Sequence, residues 1–179
     1  LGVLGESGSG KSVTALSIER LLADNGKIVG GSVMFDGADM AKINEREMRR
    51  LRNNKLAIVF QDPMTSLNPT LRVETQIVER LRAFNKKLSK KAARARALEL
   101  LEAVKIPDAR KRLRSYPFEL SGGMCQRVMF AVAIACKPEV LIADEPTTAL
   151  DVTIQRQILN IMKDLRDTNN LSVILITHD

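Results

Sequence analysis

The chain has 179 residues, 45% hydrophobic and 27% charged, which is the balance of a soluble globular protein with one sizeable core or a core plus a small appendage. Aromatics make up 3% and Trp is absent, which argues against a single-strand nucleic-acid platform built on stacked rings. The formal net charge of +7 fits a solvated basic surface or an anionic partner: nucleotide, nucleic acid or the inner face of a membrane. The two cysteines, Cys125 and Cys136, share one apolar helical stretch, which is neither a metal spacing nor a disulfide framework. They read as small reduced core residues in a cytosolic compartment. No apolar run approaches the ~20 residues of a membrane span, and no signal peptide is visible.

In chain order, "LGVL" reads as the end of a buried strand and "GESGSGKS" as a glycine-rich loop. A helix over 12–23 follows, with Val13, Leu16, Ile18, Leu21 and Leu22 spread over more than one face, so burial on several sides is expected. "GGSVMFDG" predicts a short strand closed by an Asp36-Gly37 turn. A basic helix over 45–52, a buried strand "LAIVF" and a loop "QDPMTSLNPT" come next. Val73, Ile77, Leu81 and Phe84 have helical spacing. Ser89 opens a second helix with Ala93, Ala97, Leu100, Leu101 and Val104 inside, and Lys90, Lys91, Arg94 and Arg96 outside. A helix over 123–136 puts Met124, Val128, Ala131, Val132 and Ala135 on one stripe. Then come a buried strand over 139–143, a helix over 152–166 and a last strand over 171–176. The flanks alternate strand and helix while 71–136 is helical only. The expected fold is therefore an α/β phosphate-loop NTPase core with a mostly parallel sheet, interrupted by a helical subdomain. The divisions are 1–70, 71–136 and 137–179. The chain opens and stops directly on motifs and reads as a fragment.

Two signals carry chemistry. Gly5, Glu6, Ser7, Gly8, Ser9, Gly10, Lys11 and Ser12 match G-x-x-x-x-G-K-[ST] in full. Its glycines let the backbone curl so that N–H groups face phosphate oxygens, Lys11 supplies a cation for the β- and γ-phosphates, and the Ser12 hydroxyl suits Mg²⁺. "VLIADEP" delivers Asp144 and Glu145 to the C-terminal end of a buried strand, where ligands of α/β sheets sit. Asp144 suits the hydrated Mg²⁺ and Glu145 the role of general base on an attacking water. Gln61, directly after "LAIVF", could reach metal and γ-phosphate, and His178, the only histidine, could contact the γ-phosphate. Taken alone, Gln61 reads as well as a polar loop residue and His178 as a capped loop histidine. "LSGGM", with Ser121, Gly122 and Gly123, resembles an anion site at a helix start but lacks the lysine of a phosphate loop.

The order phosphate loop, Gln61, "LSGGM", "LIADEP", "TALD" and "ITHD" resembles the ATPase subunit of ABC transporters over essentially the whole chain. "QDPMTSLNPT", "YPFELSGGM" and "LIADEPTTALDVTIQ" look like the dipeptide/oligopeptide/nickel importer branch, specifically its first-type ATPase subunit. The resemblance implies a subunit that binds and hydrolyses ATP with Mg²⁺ to energise import of peptides or a related small solute. Two ATPase subunits would pair head to tail as a homo- or heterodimer. Ser121, Gly122 and Gly123 would then cap the partner's ATP, with Asp151 at the seam. Met124, where the broad family has Gln, points to a related second subunit as partner. Two transmembrane permease subunits would dock on a groove between the helical insert and the Gln61 loop. An external solute-binding protein would act indirectly, no nucleic acid would be involved, and the subunit would sit peripherally on the cytoplasmic face of the inner or plasma membrane. The family's adenine-stacking aromatic precedes the phosphate loop and falls outside this sequence, as does the segment after His178, so the fragment alone is expected to bind ATP poorly. The rival reading is a soluble ABC-type ATPase acting on nucleic acid or ribosomes. It is disfavoured by a short insert without sustained heptads.

Overall fold

Four parallel strands, in the order β1-β6-β5-β4, form the sheet on which everything else is hung. They are β1 (Gly2–Leu4), β4 (Leu56–Val59), β5 (Val140–Asp144) and β6 (Ser172–Thr177). The computed structural model describes residues 1–148 and 150–178. Apolar β-branched runs such as "VLIA" favour strands buried on both faces, and β5, paired on both sides, is the most enclosed of the four. Its Leu141, Ile142 and Ala143 are completely buried.

The remaining elements follow local chemistry. β2 (Met34–Phe35) and β3 (Ala38–Asp39) form a two-residue hairpin in which Asp36 and Gly37 both take positive φ, as the expected turn requires. Asn44 caps α2 (Glu45–Asn54), accepting from the Glu47 N–H. Ser89 caps α5 (Lys90–Ala103) through the Ala92 N–H, the cap expected from sequence. Between β4 and β5 the described elements are helices only: α3 (Pro63–Ser66), α4 (Val73–Phe84), α5, α6 (Ala109–Arg112), a 3₁₀ turn (Pro117–Glu119) and α7 (Gly122–Ile134). α8 (Val152–Asn169) leads into β6. One apolar cluster joins these helices to the sheet through Ile77, Leu101, Phe130, Leu141 and Ile158. Each such side chain contributes about 1.5–3 kcal/mol by leaving water. Cys125 and Cys136 are free and buried, and burial pushes both thiols up.

Several expectations need correction. Among the described residues β1 pairs on one side only, and Leu4 is 71% exposed where a buried strand end is expected. The helix after the phosphate loop, α1 (Lys11–Ile18), is shorter than 12–23 and buries only Lys11 and Ala15. It stops because Arg20 takes a left-handed φ of 51°, which breaks the helical ladder. The "QDPMTSLNPT" loop contains α3, started by the Asp62 carboxylate accepting from the Met64 N–H with Pro63 in the first turn. Phe84 is largely exposed and lies outside the core. α7 buries more than one stripe, with Cys125, Gln126, Met129 and Phe130 also enclosed.

Candidate functional site at the C-terminal edge of the sheet

Parallel strands in register bring their C-terminal ends to one edge. Val59 of β4 lies beside Ala143 of β5, and Asp144 lies beside Ile176 of β6. Gln61, Asp144, Glu145 and His178, distant in sequence, therefore leave neighbouring strands at the same level. β1 pairs with β6 (Leu4 beside Thr177), so the loop from Gly5 to Gly10 starts from that edge as well.

The loop's shape comes from its glycines. Gly8 (φ 81°) and Gly10 (φ 90°) occupy the left-handed region, and Gly10 is the residue from which α1 starts. A Cβ on Gly5 would lie 2.8 Å from Ser9 Oγ. Lys11, only 7% exposed, folds its ammonium back over the loop and donates to the Gly5 carbonyl (2.6 Å) and the Glu6 carbonyl (2.7 Å). The same ammonium stands 3.9 Å from Glu145 Oε1. Ser12 Oγ donates to Asp144 Oδ1 at 3.1 Å, placing a hydroxyl and a buried carboxylate side by side.

Glu145 is the hub. Its Oε2 accepts from Gln61 Nε2 (3.3 Å) and Thr148 Oγ1 (3.0 Å), and His178 Nδ1 lies 3.3 Å away. Its own backbone N–H donates to the Ile176 carbonyl while φ is 46°, a left-handed conformation uncommon outside glycine. That backbone angle turns the side chain from the strand end towards Lys11. Thr148 was missed by sequence reasoning; the signal was its place three residues after Glu145 in "DEPTT", a short reach back to the carboxylate.

Ser121, Gly122 and Gly123, the signature residues of "LSGGM", form a separate place. Ser121 caps α7, accepting from the Met124 N–H at 3.3 Å. Among the described residues, no hydrogen bond or ion pair joins Ser121, Gly122 or Gly123 to the phosphate loop. Gly123 is buried against α8: a Cβ there would meet Ile154 Cγ2 at 2.7 Å. Asp151 caps α8 through the Ile154 N–H, and Gln155 Nε2 holds the Thr147 and Leu150 carbonyls. The start of α7 is thus keyed to the segment that follows Glu145. The neighbour Ala149 of "TALD" lies outside the described residues.

No group of three or more His, Cys, Asp or Glu among the described residues forms a metal cluster. The oxygen pair Ser12–Asp144 is instead the sparse, hard donor set that suits Mg²⁺, which takes one or two protein oxygens and fills its other positions from phosphate and water.

Comparison with known proteins agrees with this geometry. A family model described as "ABC transporter" matches residues 1–148. The probable peptide ABC transporter ATP-binding protein y4tR of Sinorhizobium fredii is 54% identical over 100% of this chain and 53% of its own length. The oligopeptide transport ATP-binding protein OppD of Salmonella typhimurium is 52% identical, again over 100% of this chain and 53% of its own. Among solved structures, the ATP-binding cassette MJ0796, a dimer in a post-hydrolysis state bound to ADP and Pi, superposes with a TM-score of 0.85 at 31% identity, covering 99% of this chain and 74% of that one. The chain spans about half the length of the curated relatives it matches. With a family model over most of its length, relatives above half identity and a cassette fold, the chain belongs to the ABC transporter family.

Proposed function

We propose that this chain is the catalytic part of an ATP-binding and ATP-hydrolysing subunit that energises import of peptides or a related small solute. The observation that carries the reading is the convergence on Glu145 of Lys11, Gln61, Thr148 and His178 at one sheet edge. The relatives' names, peptide and oligopeptide transport ATP-binding proteins, support the solute class.

In this reading the N–H groups of Gly5, Glu6, Ser7, Gly8, Ser9 and Gly10 receive the phosphates. Lys11 exchanges its two loop carbonyls for phosphate oxygens, a charge-assisted and stronger contact. Ser12, Asp144 and Gln61 would hold Mg²⁺, which when bound supplies positive charge against the phosphate oxygens. Glu145 takes the proton of the attacking water as that oxygen bonds to the γ-phosphorus and the bridge to the β-phosphate breaks. Gln61 and His178, already beside Glu145 Oε2, orient the water and contact the γ-phosphoryl group. Lys11 stabilises the charge on the transferring group.

The apartness of Ser121, Gly122 and Gly123 supports a composite site, in which they cap ATP held by a second ATPase subunit in a head-to-tail homo- or heterodimer. The division 1–70, 71–136 and 137–179 gives the helical middle to docking of two permease subunits and the flanks to the nucleotide. No helix among the described residues is long and apolar enough to cross a membrane; membrane attachment would come through the permease, at the cytoplasmic face.

The test is to tag the full-length parent protein in its own cells, solubilise membranes gently and identify what co-purifies. Two permease proteins and a second ATPase are the expected companions. Ribosomal or DNA-repair proteins with no permease would overturn the transport reading.

A further inference from the structure

Charge is not spread evenly along this chain. Residues 71–136 hold 15 Lys and Arg against 6 Asp and Glu, a net of +9, while the rest of the chain holds 13 against 15, a net of −2. The helical middle therefore carries the whole positive excess. It is densest at "RKRLR", Arg110 to Arg114, where only Leu113, buried in the core, is not a cation. A concavity of about 730 Å³ opens there, lined by Asp108, Arg110, Lys111, Arg114, Ser115 and Glu119. Among the described residues, the side chains of Arg110, Lys111 and Arg114 make no hydrogen bond or ion pair. Arg112 adds an enclosed Nε–H with no acceptor among those residues. Arg94 of α5 reaches the same segment: it pairs with Glu74, whose backbone N–H donates to the Leu113 carbonyl at 2.9 Å.

An aromatic pair adjoins these cations in the chain. Tyr116 and Phe118 stack with ring centroids 5.4 Å apart, and the Arg72 guanidinium lies over the Tyr116 ring at 5.6 Å. Phe118 is 66% exposed. An exposed ring backed by cations fits the boundary between phosphate headgroups and acyl chains, where the cations stay with the phosphates and the ring enters the apolar side. The Glu119 carboxylate accepts from the Tyr116 N–H (2.7 Å) and does not pair with the three cations. Ser115 puts a hydroxyl in the same wall, a donor suited to a phosphate oxygen. A nucleic acid fits less well. Its phosphates repeat along a strand and call for cations in a track, whereas Asp108 and Glu119 stand in this wall and repel a polyanion.

We propose that this basic face docks on the anionic surface of the bilayer, with a phospholipid headgroup phosphate held by Arg110, Lys111 and Arg114 and the Phe118 ring set into the apolar boundary. This rests on the transporter reading above, which puts the subunit beside a membrane. It adds a direct hold on the bilayer to the one made through the permease. The 3₁₀ turn that carries Phe118 runs straight into Ser121, the cap of α7, so the docked face adjoins the signature.

The experiment is flotation of the purified full-length subunit, without permease, with vesicles of phosphatidylcholine and phosphatidylglycerol against vesicles of phosphatidylcholine alone. Wild type should bind the anionic vesicles only, and more weakly as salt rises. Arg110→Gln, Lys111→Gln and Arg114→Gln combined should weaken binding about a hundredfold, or roughly fivefold per charge. Arg46→Gln, Arg49→Gln and Arg50→Gln on α2 remove the same charge elsewhere and should leave binding within about twofold. Phe118→Ala should weaken it about tenfold, a loss that salt does not remove because ring burial is not screened. Melting temperatures of the variants serve as fold controls. Wild type that ignores anionic vesicles, unaltered binding in the first triple variant, or equal loss in both triples overturns the proposal. Displacement of the vesicles by millimolar inorganic phosphate would make this a site for free phosphate and overturns it too, as does tighter capture of RNA through the same three cations. The transporter reading stands or falls on the permease co-purification, so the two fail separately.

Discussion

Two enclosed carboxylates stand at opposite ends of this molecule's logic. Glu145, at the end of β5, is surrounded by donors: Gln61, Thr148, His178 and, further off, Lys11. Glu19, at the end of α1, is more deeply buried, yet its Oε1 has no donor at all among the described residues. The same functional group thus meets two environments. Where donors converge, the carboxylate is held in one orientation, as the proposed role of general base requires. Where they are missing, an enclosed oxygen is left unsatisfied at a cost to the fold.

The largest expected effect breaks the first half of this contrast. On the proposed function, Glu145→Gln removes the base but keeps the shape, so steady-state ATP hydrolysis by the full-length subunit in its transporter should fall by about 10²–10⁴-fold while nucleotide stays bound. Turnover near wild type would remove Glu145 from the chemistry. The next effect sharpens the second half. Glu19 is raised from 4.5 to about 7, so relative to the unfolded chain it costs nothing below pH 4.5 and progressively destabilises the fold as pH rises towards 7. In the full-length subunit Glu19→Gln should therefore match wild type in thermal stability at pH 4.5 and exceed it at pH 8. At about 1.4 kcal/mol per tenfold change in proton affinity, the gain is at most about 3–4 kcal/mol. An equal gain at both pH values would show that the carboxylate's charge is not the cause. The smallest effect concerns the link from Glu145's loop to the signature. Gly123→Ala forces a Cβ into Ile154 and should cost about 1–3 kcal/mol by overpacking. Pairing it with Ile154→Ala, which empties that space, should cost less than the two single changes added together, as a double-mutant cycle on thermal unfolding would record.

Much of the Glu145 half was legible because its residues are written in short spacings. The phosphate loop's glycines, the acidic pair after an apolar run and the polar residues following other apolar runs need only the parallel sheet to bring them together. The Glu19 half was not legible. In sequence it is one polar position in a stretch read as a longer helix, and its burial depends on where that helix stops. The stop is made by Arg20 in a left-handed conformation, which no propensity foretells for arginine. Nor does the sequence alone say that Arg52 and Arg80, beside it in space, spend their donors on main-chain carbonyls. α3 was a different kind of miss: the Asp62-Pro63 start signal was present, but the prolines and turn-formers around it favoured a loop. Leu4 and Val13 are apolar yet exposed, because the rule that core residues are apolar holds only in one direction.

The strand order has a consequence for synthesis. β1, which launches the phosphate loop, pairs within the described sheet only with β6. A ribosome makes β1 before the helical middle and β6 after it. At ordinary translation speeds the first strand waits on the order of ten seconds or more for its neighbour. During that wait β1 lacks the β6 backbone it pairs with and Val3 lacks the Ile176 side of its apolar cluster. Nascent chains of this kind are natural clients for chaperones that hold early segments apart until a late strand pairs with them.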